Sequence, residues 1–377
     1  MRFLHTADWQ WGMPAHFLKN GDSRARYADA RLAAVKRIGD IARQEDCAFV
    51  LVCGDVYDAN QLSRTTVLRT LDALGSIDVP VYLLPGNHDP DEPGSIYRTP
   101  ELGQLPGRVH ILDEPGIHTV SEGVELVAAP WPSKRPVEDL VGAQLRSLPP
   151  ATDGLVRILA GHGAVDTFSP DKDIPYLIRA NELRAAVADR RVHYVALGDR
   201  HSSTDLGMDG RVWYSGTPEV TDYNEERPGY VLVVDVDDRR CEVTEHQVGR
   251  WTFSDIEAEL SGPSDIDVLD AKLQAMPDKE TTAIRLALRG TLGLADCTRL
   301  EELIERHGHV FAHLGTWDRH TDLAILPAEG ESGNLGLSGY AAAAFEELEH
   351  AAVHGGPGAE EAQGALLLFH RLAGGAR

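Results

Sequence analysis

Short apolar runs that stop at glycine punctuate the first two-thirds of the chain. FVLVCG (Phe49 to Gly54), VPVYLLPG (Val79 to Gly86), LVRILAGH (Leu155 to His162) and VHYVALGD (Val192 to Asp199) share this form, each followed at once by polar residues. Before and between the first two, Arg31 to Ala42 and Ser63 to Leu74 place apolar residues at helical spacing. Unbroken apolar runs suit strands buried on both faces, and their alternation with helices predicts an α/β layered sheet. Two later runs, RVWYSGT and GYVLVVDVDD, have no helix between them and read as an antiparallel portion of the same domain.

Near Gly249 the pattern restarts. Ser264 to Met276 is helical, TTAIRLALRGTL alternates as a strand, CTRLEELIERHG is an amphipathic helix, and HVFAHLGTW is a strand. These elements predict a small α+β domain over residues 249–327, after a first domain over 1–248. A Gly/Ser-rich linker, 328–339, includes GESGNLGLSG. In 340–377, Tyr340 to His354 and Ala359 to Leu372 read as two helices broken at Gly355-Gly356-Pro357-Gly358. The second carries Leu366, Leu367, Leu368, Phe369 and Leu372, more apolar surface than a lone tail hides. Such a pair either folds back on the body or docks a partner.

Composition narrows the class. A length of 377 residues allows roughly two to three domains, and 42% hydrophobic with 25% charged residues excludes disorder over most of the chain. No run approaches the ~20 apolar residues of a membrane helix, and Met1 leads straight into RFLHTADW, so a soluble, unexported protein is expected. The four cysteines form no CxxC pair, which fits a reducing cytoplasm and points any metal chemistry to nitrogen and oxygen ligands. Acidic residues outnumber basic ones 59 to 36, a formal charge of −23. Such a chain repels nucleic acid unless basic groups cluster locally or a partner supplies them.

Candidate chemistry gathers at the ends of the apolar runs. Asp8 and Gln10 follow the first strand, Asp55 and Asp58 the second, and Asn87, His88 and Asp89 the third; His162 ends a later one, and Asp199 and His201 follow another. In layered α/β folds the carboxyl edge of the sheet is one surface, so these groups can converge. Taken singly, Asp8 is a strand-end cap, Gly54-Asp55 a turn, and His162 or His201 a structural histidine. The series, each time at a strand end, points instead to a metal centre. Carboxylate, amide and imidazole ligands without thiolate suit Mn²⁺, Fe²⁺ or Mg²⁺, with zinc possible. Two such ions ~3.5–4 Å apart activate water and clamp a phosphate, which is chemistry for phosphoester hydrolysis.

These residues resemble the calcineurin-like metallophosphoesterase superfamily and, within it, the SbcD family of DNA double-strand-break repair nucleases. The resemblance rests on HTADW near the start, GDVYDAN, PGNHDP, and YVALGDRH followed by WYSGTPEVTDYNEERPGYVLVVDVD. It implies a four-layer α/β/β/α sandwich, with residues 249–327 as a capping domain and a C-terminal helical tail. It also implies a manganese-dependent DNA exonuclease and endonuclease with two divalent ions, Mg²⁺ or Fe²⁺ being alternatives. Asp8, Gln10 and His201 would hold the first ion, Asp55 would bridge, and Asn87, His162 and Asp199 would hold the second. His88 would sit beside the scissile phosphate and help protonate the leaving oxygen, with Asp58 and Asp89 orienting ligands and His88. The family works as a dimer with an SMC-like ATPase, whose coiled coil is gripped by a C-terminal helical pair. Here Phe345, Leu348, Leu366, Leu367 and Phe369 are the candidates for that contact.

Two positions depart from the family pattern. Gln10 stands where the family has an imidazole, and so does Asp199, which predicts a looser first site and a shift toward harder ions. Arg200 between Asp199 and His201 either touches a phosphate or faces solvent. Two other readings therefore stand beside the nuclease: a degenerate phosphoesterase acting as a DNA-end or ATPase-binding scaffold, and a phosphodiesterase for small nucleotides. Arg24, Arg26, Arg31, Lys36, Arg37, Arg64 and Arg69 follow the first two motifs, reading mainly as solvated helix faces with some able to meet DNA phosphates. Weak DNA affinity of the isolated chain is expected, an ATPase partner supplying most phosphate contacts.

Overall fold

A computed structural model describes residues 1–325, 337–354 and 358–374. The chain divides into two compact units, Met1–His16 with Arg24–Trp251 and Phe17–Ser23 with Thr252–Arg377.

The first unit begins with β1 (Arg2–Thr6), α1 (Gly21–Gln44), β2 (Val50–Cys53), α2 (Arg64–Gly75), β3 (Val81–Leu84) and β4 (Val109–Ile111). β1 to β4 lie side by side and parallel. Ser63 caps α2, its side chain accepting from the Thr66 amide at 3.2 Å. There follow β5 (Gly116–Ser121), β6 (Val124–Ala128), α3 (Leu140–Ser147), β7 (Val156–His162), α4 (Ala180–Ala188), β8 (Tyr194–Gly198), β9 (Thr204–Asp205) and β10 (Val212–Tyr214). They build a second sheet in the order β5-β6-β7-β8-β10-β9. The chain then returns to the first sheet through β11 (Tyr230–Val236) and β12 (Cys241–Gln247), giving the order β12-β11-β1-β2-β3-β4.

Three apolar cores hold these layers. Phe3, Phe49 and Leu51 of the first sheet pack against Leu126, Ile158 and Tyr194 of the second. The outer face of the first sheet buries Val50 and Val52 against Val35 and Ile38 of α1 and Leu74 of α2. The outer face of the second buries Leu159 and Val195 against Leu145 of α3 and Leu183 of α4. Both sheets are thus covered on both faces, in an α/β/β/α sandwich, which explains why the central strands read as largely apolar runs.

The run RVWYSGT differs from its expected antiparallel pairing. β10 runs parallel to β8, with Val212 opposite Val195 and Tyr214 opposite Leu197, and antiparallel only to the two-residue β9. The segment after His201 acts as a crossover although it forms no helix. GYVLVVDVDD is antiparallel to both neighbours, β1 and β12.

The second unit contains β13 (Thr252–Leu260), α5 (Pro263–Ala275), β14 (Thr282–Leu292), α6 (Leu294–Gly308), β15 (His313–Thr316), β16 (Asp322–Ile325), α7 (Tyr340–His354) and α8 (Ala359–Gly374). Its sheet is parallel throughout, with β15 and β16 taking successive halves of one edge of β14. Ile266, Leu269 and Leu273 of α5 and Leu300 and Leu303 of α6 cover Ile284, Leu286 and Leu288 of β14. In the tail, Phe345 of α7 and Leu366 of α8 are fully buried with Leu294 of α6, while Leu348, Leu367 and Phe369 are partly buried around them. Leu368 and Leu372 are exposed. Most of the linker, and the break at Gly355-Gly356-Pro357, lie outside the described residues.

Candidate metal centre

β1, β2 and β3 of one sheet and β7 and β8 of the other direct their carboxyl ends to a common place. The loops after β1 and β2 run side by side, the Asp8 amide donating to the Gly54 carbonyl at 3.0 Å and the Gln10 amide to the Asp55 carbonyl at 2.8 Å. Asp8, Gln10, Asp55 and Asp199 all have positive φ, from 42° to 98°. Non-glycine residues rarely adopt this backbone, and the adjoining hydrogen bonds hold it here. The space between the loops is minimal: a Cβ on Gly86 would lie 2.2 Å from Asp55 Oδ1.

The residues expected to hold a second ion meet closely. His162 Nε2 lies 2.6 Å from Asn87 Oδ1, 3.4 Å from Asp55 Oδ1 and 3.8 Å from Asp199 Oδ1. His162 Nδ1 is 2.9 Å from the Cys53 carbonyl, so Nδ1 carries the donated proton and Nε2 faces three oxygen acceptors. A nitrogen lone pair ringed by oxygens is stable only around a positive charge. Ligand atoms of Asp8, Asp55 and His162 all lie within 4.8 Å of one another. This donor set fits a divalent cation.

The residues expected to hold a first ion adjoin them. Both Asp8 carboxylate oxygens accept from the Asp199 amide, at 3.0 and 3.1 Å. His201 Nδ1 lies 2.8 Å from Glu225 Oε1 and 2.7 Å from Thr221 Oγ1, which turns Nε2 inward. The Gln10 amide nitrogen is 3.2 Å from that Nε2, so Gln10 must turn its amide over to offer oxygen to an ion shared with His201.

His88 stands at the mouth, 41% exposed, with its amide donating to Asp55 Oδ1 at 2.9 Å. Its Nδ1 is 3.0 Å from the Asp58 carbonyl and its Nε2 4.0 Å from Asp55 Oδ2. Asp58 therefore orients His88 mainly through its backbone oxygen. Asp89 does not reach His88 among its hydrogen bonds: buried, it accepts from the Tyr57 and Gly86 amides and the Tyr97 hydroxyl, tying the second loop to the third. Arg200 stacks on Phe168 at 4.5 Å and donates to Thr204 Oγ1.

Electrostatics state the same demand for positive charge. Burial raises the Asp8 pKa to about 7, although His201 and His162 pull against it. Burial also raises Asp199, and lifts Asp89 to about 6. Burial would lower both imidazoles, but Asp55 holds His162 well above its ordinary value. Likewise the hydrogen bond to Glu225 and the charge of Asp8 lift His201 to about 9. Metal-free, protons on the imidazoles balance the carboxylates, and a cation competes with those protons.

Sequence reasoning missed Glu225, Thr221 and Tyr97. Glu225 lies in the distinctive stretch after His201, but nothing local separates it from Asp222 and Glu226 as the partner of His201.

The sequence pattern of the calcineurin-like phosphoesterases matches residues 1–234, and the chain belongs to this family. It is a metallophosphoesterase, a family of divalent-metal hydrolases. No curated protein matches it in sequence. Among solved structures it is similar to the TT1561 protein of Thermus thermophilus, at 10% identity and a TM-score of 0.41 over 66% of this chain and 98% of that one. A dimetal phosphatase from Danio rerio is similar at 13% identity and a TM-score of 0.40, over 66% of this chain and 96% of that one. Among the described residues no helix is long and apolar enough to cross a membrane.

Proposed function

We propose that the chain is an SbcD-like DNA nuclease subunit, hydrolysing phosphodiester bonds as an exonuclease and endonuclease in double-strand-break repair. The observation that carries the hydrolytic part is the single cluster of Asp8, Asp55, Asn87, His162, Asp199 and His201 with His88 at its mouth. Asp8, Gln10 and His201 would hold one ion and Asn87, His162 and Asp199 the other, with Asp55 shared by both. When bound, the two ions, Mn²⁺ before Mg²⁺ or Fe²⁺, activate water and neutralise the phosphate. His88, its Nδ1 engaged by the Asp58 carbonyl, presents Nε2 to the phosphate and protonates the leaving oxygen.

The preference for DNA is supported by the stretch from Trp213 to Asp237, which resembles the nuclease family. It also braces the site: the Thr217 hydroxyl donates to the Asp8 carbonyl at 2.8 Å and Glu225 holds His201. A cytoplasmic homodimer with an SMC-like ATPase completes the proposal. With Phe345 and Leu366 spent inside the chain, exposed Leu368 and Leu372 and the partly buried Leu348, Leu367 and Phe369 remain to meet that ATPase.

The test is DNA cleavage by the purified chain with Mn²⁺, Mg²⁺ or chelator, beside His88→Ala. Metal-dependent cleavage that falls by ~10²–10⁴-fold in the variant is expected. Wild-type protein that cuts no DNA with any metal, even with its ATPase present, overturns the proposal in favour of a scaffold.

A further inference from the structure

We infer that a cavity beside the metal centre binds a phosphate group of the nucleic-acid strand adjacent to the scissile one. This deepens, and rests on, the phosphodiesterase reading above. The cavity, about 240 Å³, lies between the loop after β1 and helices α1 and α2. Its walls include Trp11, Arg24, Tyr27, Arg31, Thr66 and Arg69, and none of its lining residues is acidic. Three guanidiniums around a space without a carboxylate stand out in a chain of net charge −23.

Arg31 is the built part of the site. It is 6% exposed, and its hydrogen-bond partners are all neutral: Tyr27 Oη at 2.9 Å, the Gln10 carbonyl at 3.0 Å, the Trp9 carbonyl and Met13 Sδ. Its Nε is buried and has no acceptor among the described residues. Asp58 and Glu219 feel the Arg31 charge, but neither is hydrogen-bonded to it, and an anion in the cavity offsets the cost of burying that charge by attraction rather than through the enclosed Nε. Arg24 on α1 and Arg69 on α2 are exposed and form no ion pair among the described residues. By contrast Lys36, Arg43 and Arg64 pair with Asp72, Asp40 and Glu101.

Arginine forks suit phosphate oxygens, and the buried Trp11 and Tyr27 keep water from one side of the cavity, which lowers the local dielectric and strengthens the attraction. The cavity is smaller than the ~300–1,000 Å³ of sites for whole drug-sized ligands, so it suits a phosphate with its ester arms. Arg31 also clasps the carbonyls of Trp9 and Gln10, so the side chain that lines the cavity also holds the loop bearing Asp8 and Gln10. The site therefore favours strands carrying a neighbouring phosphate over esters with only one.

Two arms test this on the full chain, wild type beside the double variant Arg24→Gln/Arg69→Gln, both positions being exposed. First, inorganic phosphate is titrated calorimetrically into chelator-treated protein, where the metal centre offers no competing site. Binding by wild type that weakens about ten-fold or more in the variant is expected. No binding by wild type overturns the inference. Second, with Mn²⁺, kcat/KM is compared between a short single-stranded oligonucleotide and bis(p-nitrophenyl) phosphate, and the variant should lose about ten-fold in that ratio. Phosphate binding with an unchanged ratio assigns the cavity to free phosphate and overturns the strand assignment. Wild type that hydrolyses neither ester sinks the phosphodiesterase reading, while the chelator arm still decides whether the cavity holds phosphate.

Discussion

Gly198→Ala tests how tightly the two sheets are joined at the metal centre. A Cβ at this position would lie 1.9 Å from the Cys53 carbonyl oxygen, 2.7 Å from the Ala7 Cβ and 2.8 Å from His162 Nδ1. Comfortable contacts need about 3.5 Å, so β8 and β2 must part by about 1.5 Å. The Cys53 carbonyl is the hydrogen-bond partner of His162, and Asp199 is the next residue. The strain displaces ligands from both sheets at once. Overpacking of this kind costs about 1–3 kcal/mol, or roughly 2–12 °C of melting temperature for a domain of this size. A ~1 Å misplacement of reacting groups costs on the order of 10²-fold in rate. The assay pairs thermal melting of the chelated protein with hydrolysis of bis(p-nitrophenyl) phosphate under saturating Mn²⁺. A variant that melts within about 1 °C of wild type and keeps its rate within about two-fold would mean that the two sheets yield at this point without moving the ligands.

Other predictions concern the groups around the ligands. Glu225→Gln removes the charge behind His201 and should weaken metal affinity by ~10–100-fold, measured by competition with a chromophoric chelator; unchanged affinity would mean Glu225 serves only the fold. Stability of the metal-free chain should depend on pH through His201. Its folded pKa, about 9, lies above the unfolded value of 6.5, so its contribution is complete below 6.5 and disappears as pH rises through 9. The melting temperature of chelated protein should therefore fall across that window, and added Mn²⁺ should stabilise most at its upper end, where protons no longer compete. A flat chelated profile would contradict the assignment of His201 as a proton holder.

Much of this was legible because the physics is local. A strand buried on both faces leaves a largely apolar run, and ligand-type residues two or three positions after Cys53, Leu84 and Leu197 mark its carboxyl end. β10 was less legible: Val212, Trp213 and Tyr214 carry no information about direction, and its crossover from β8 forms no helix. Arg31 shares the sequence pattern of a solvated face with its neighbours, yet its position four residues after the buried Tyr27 turns it inward, where carbonyls take its donors. The roles of Glu225 and Tyr97 depend on contacts between segments far apart in sequence, His201 with Glu225 and Asp89 with Tyr97. The tail's apolar residues were visible as a surplus, but only Leu294 on α6 shows where Phe345 and Leu366 are spent.

In the proposed reading these strand ends build one centre for two divalent ions that share Asp55. Calorimetric titration of Mn²⁺ into chelator-stripped wild type and Asp55→Asn counts those ions. Two ions per chain are predicted, the weaker at the Gln10 and His201 side, with both weakened by the single substitution. Absence of binding at millimolar Mn²⁺, or an Asp55→Asn variant that binds as wild type does, would contradict it.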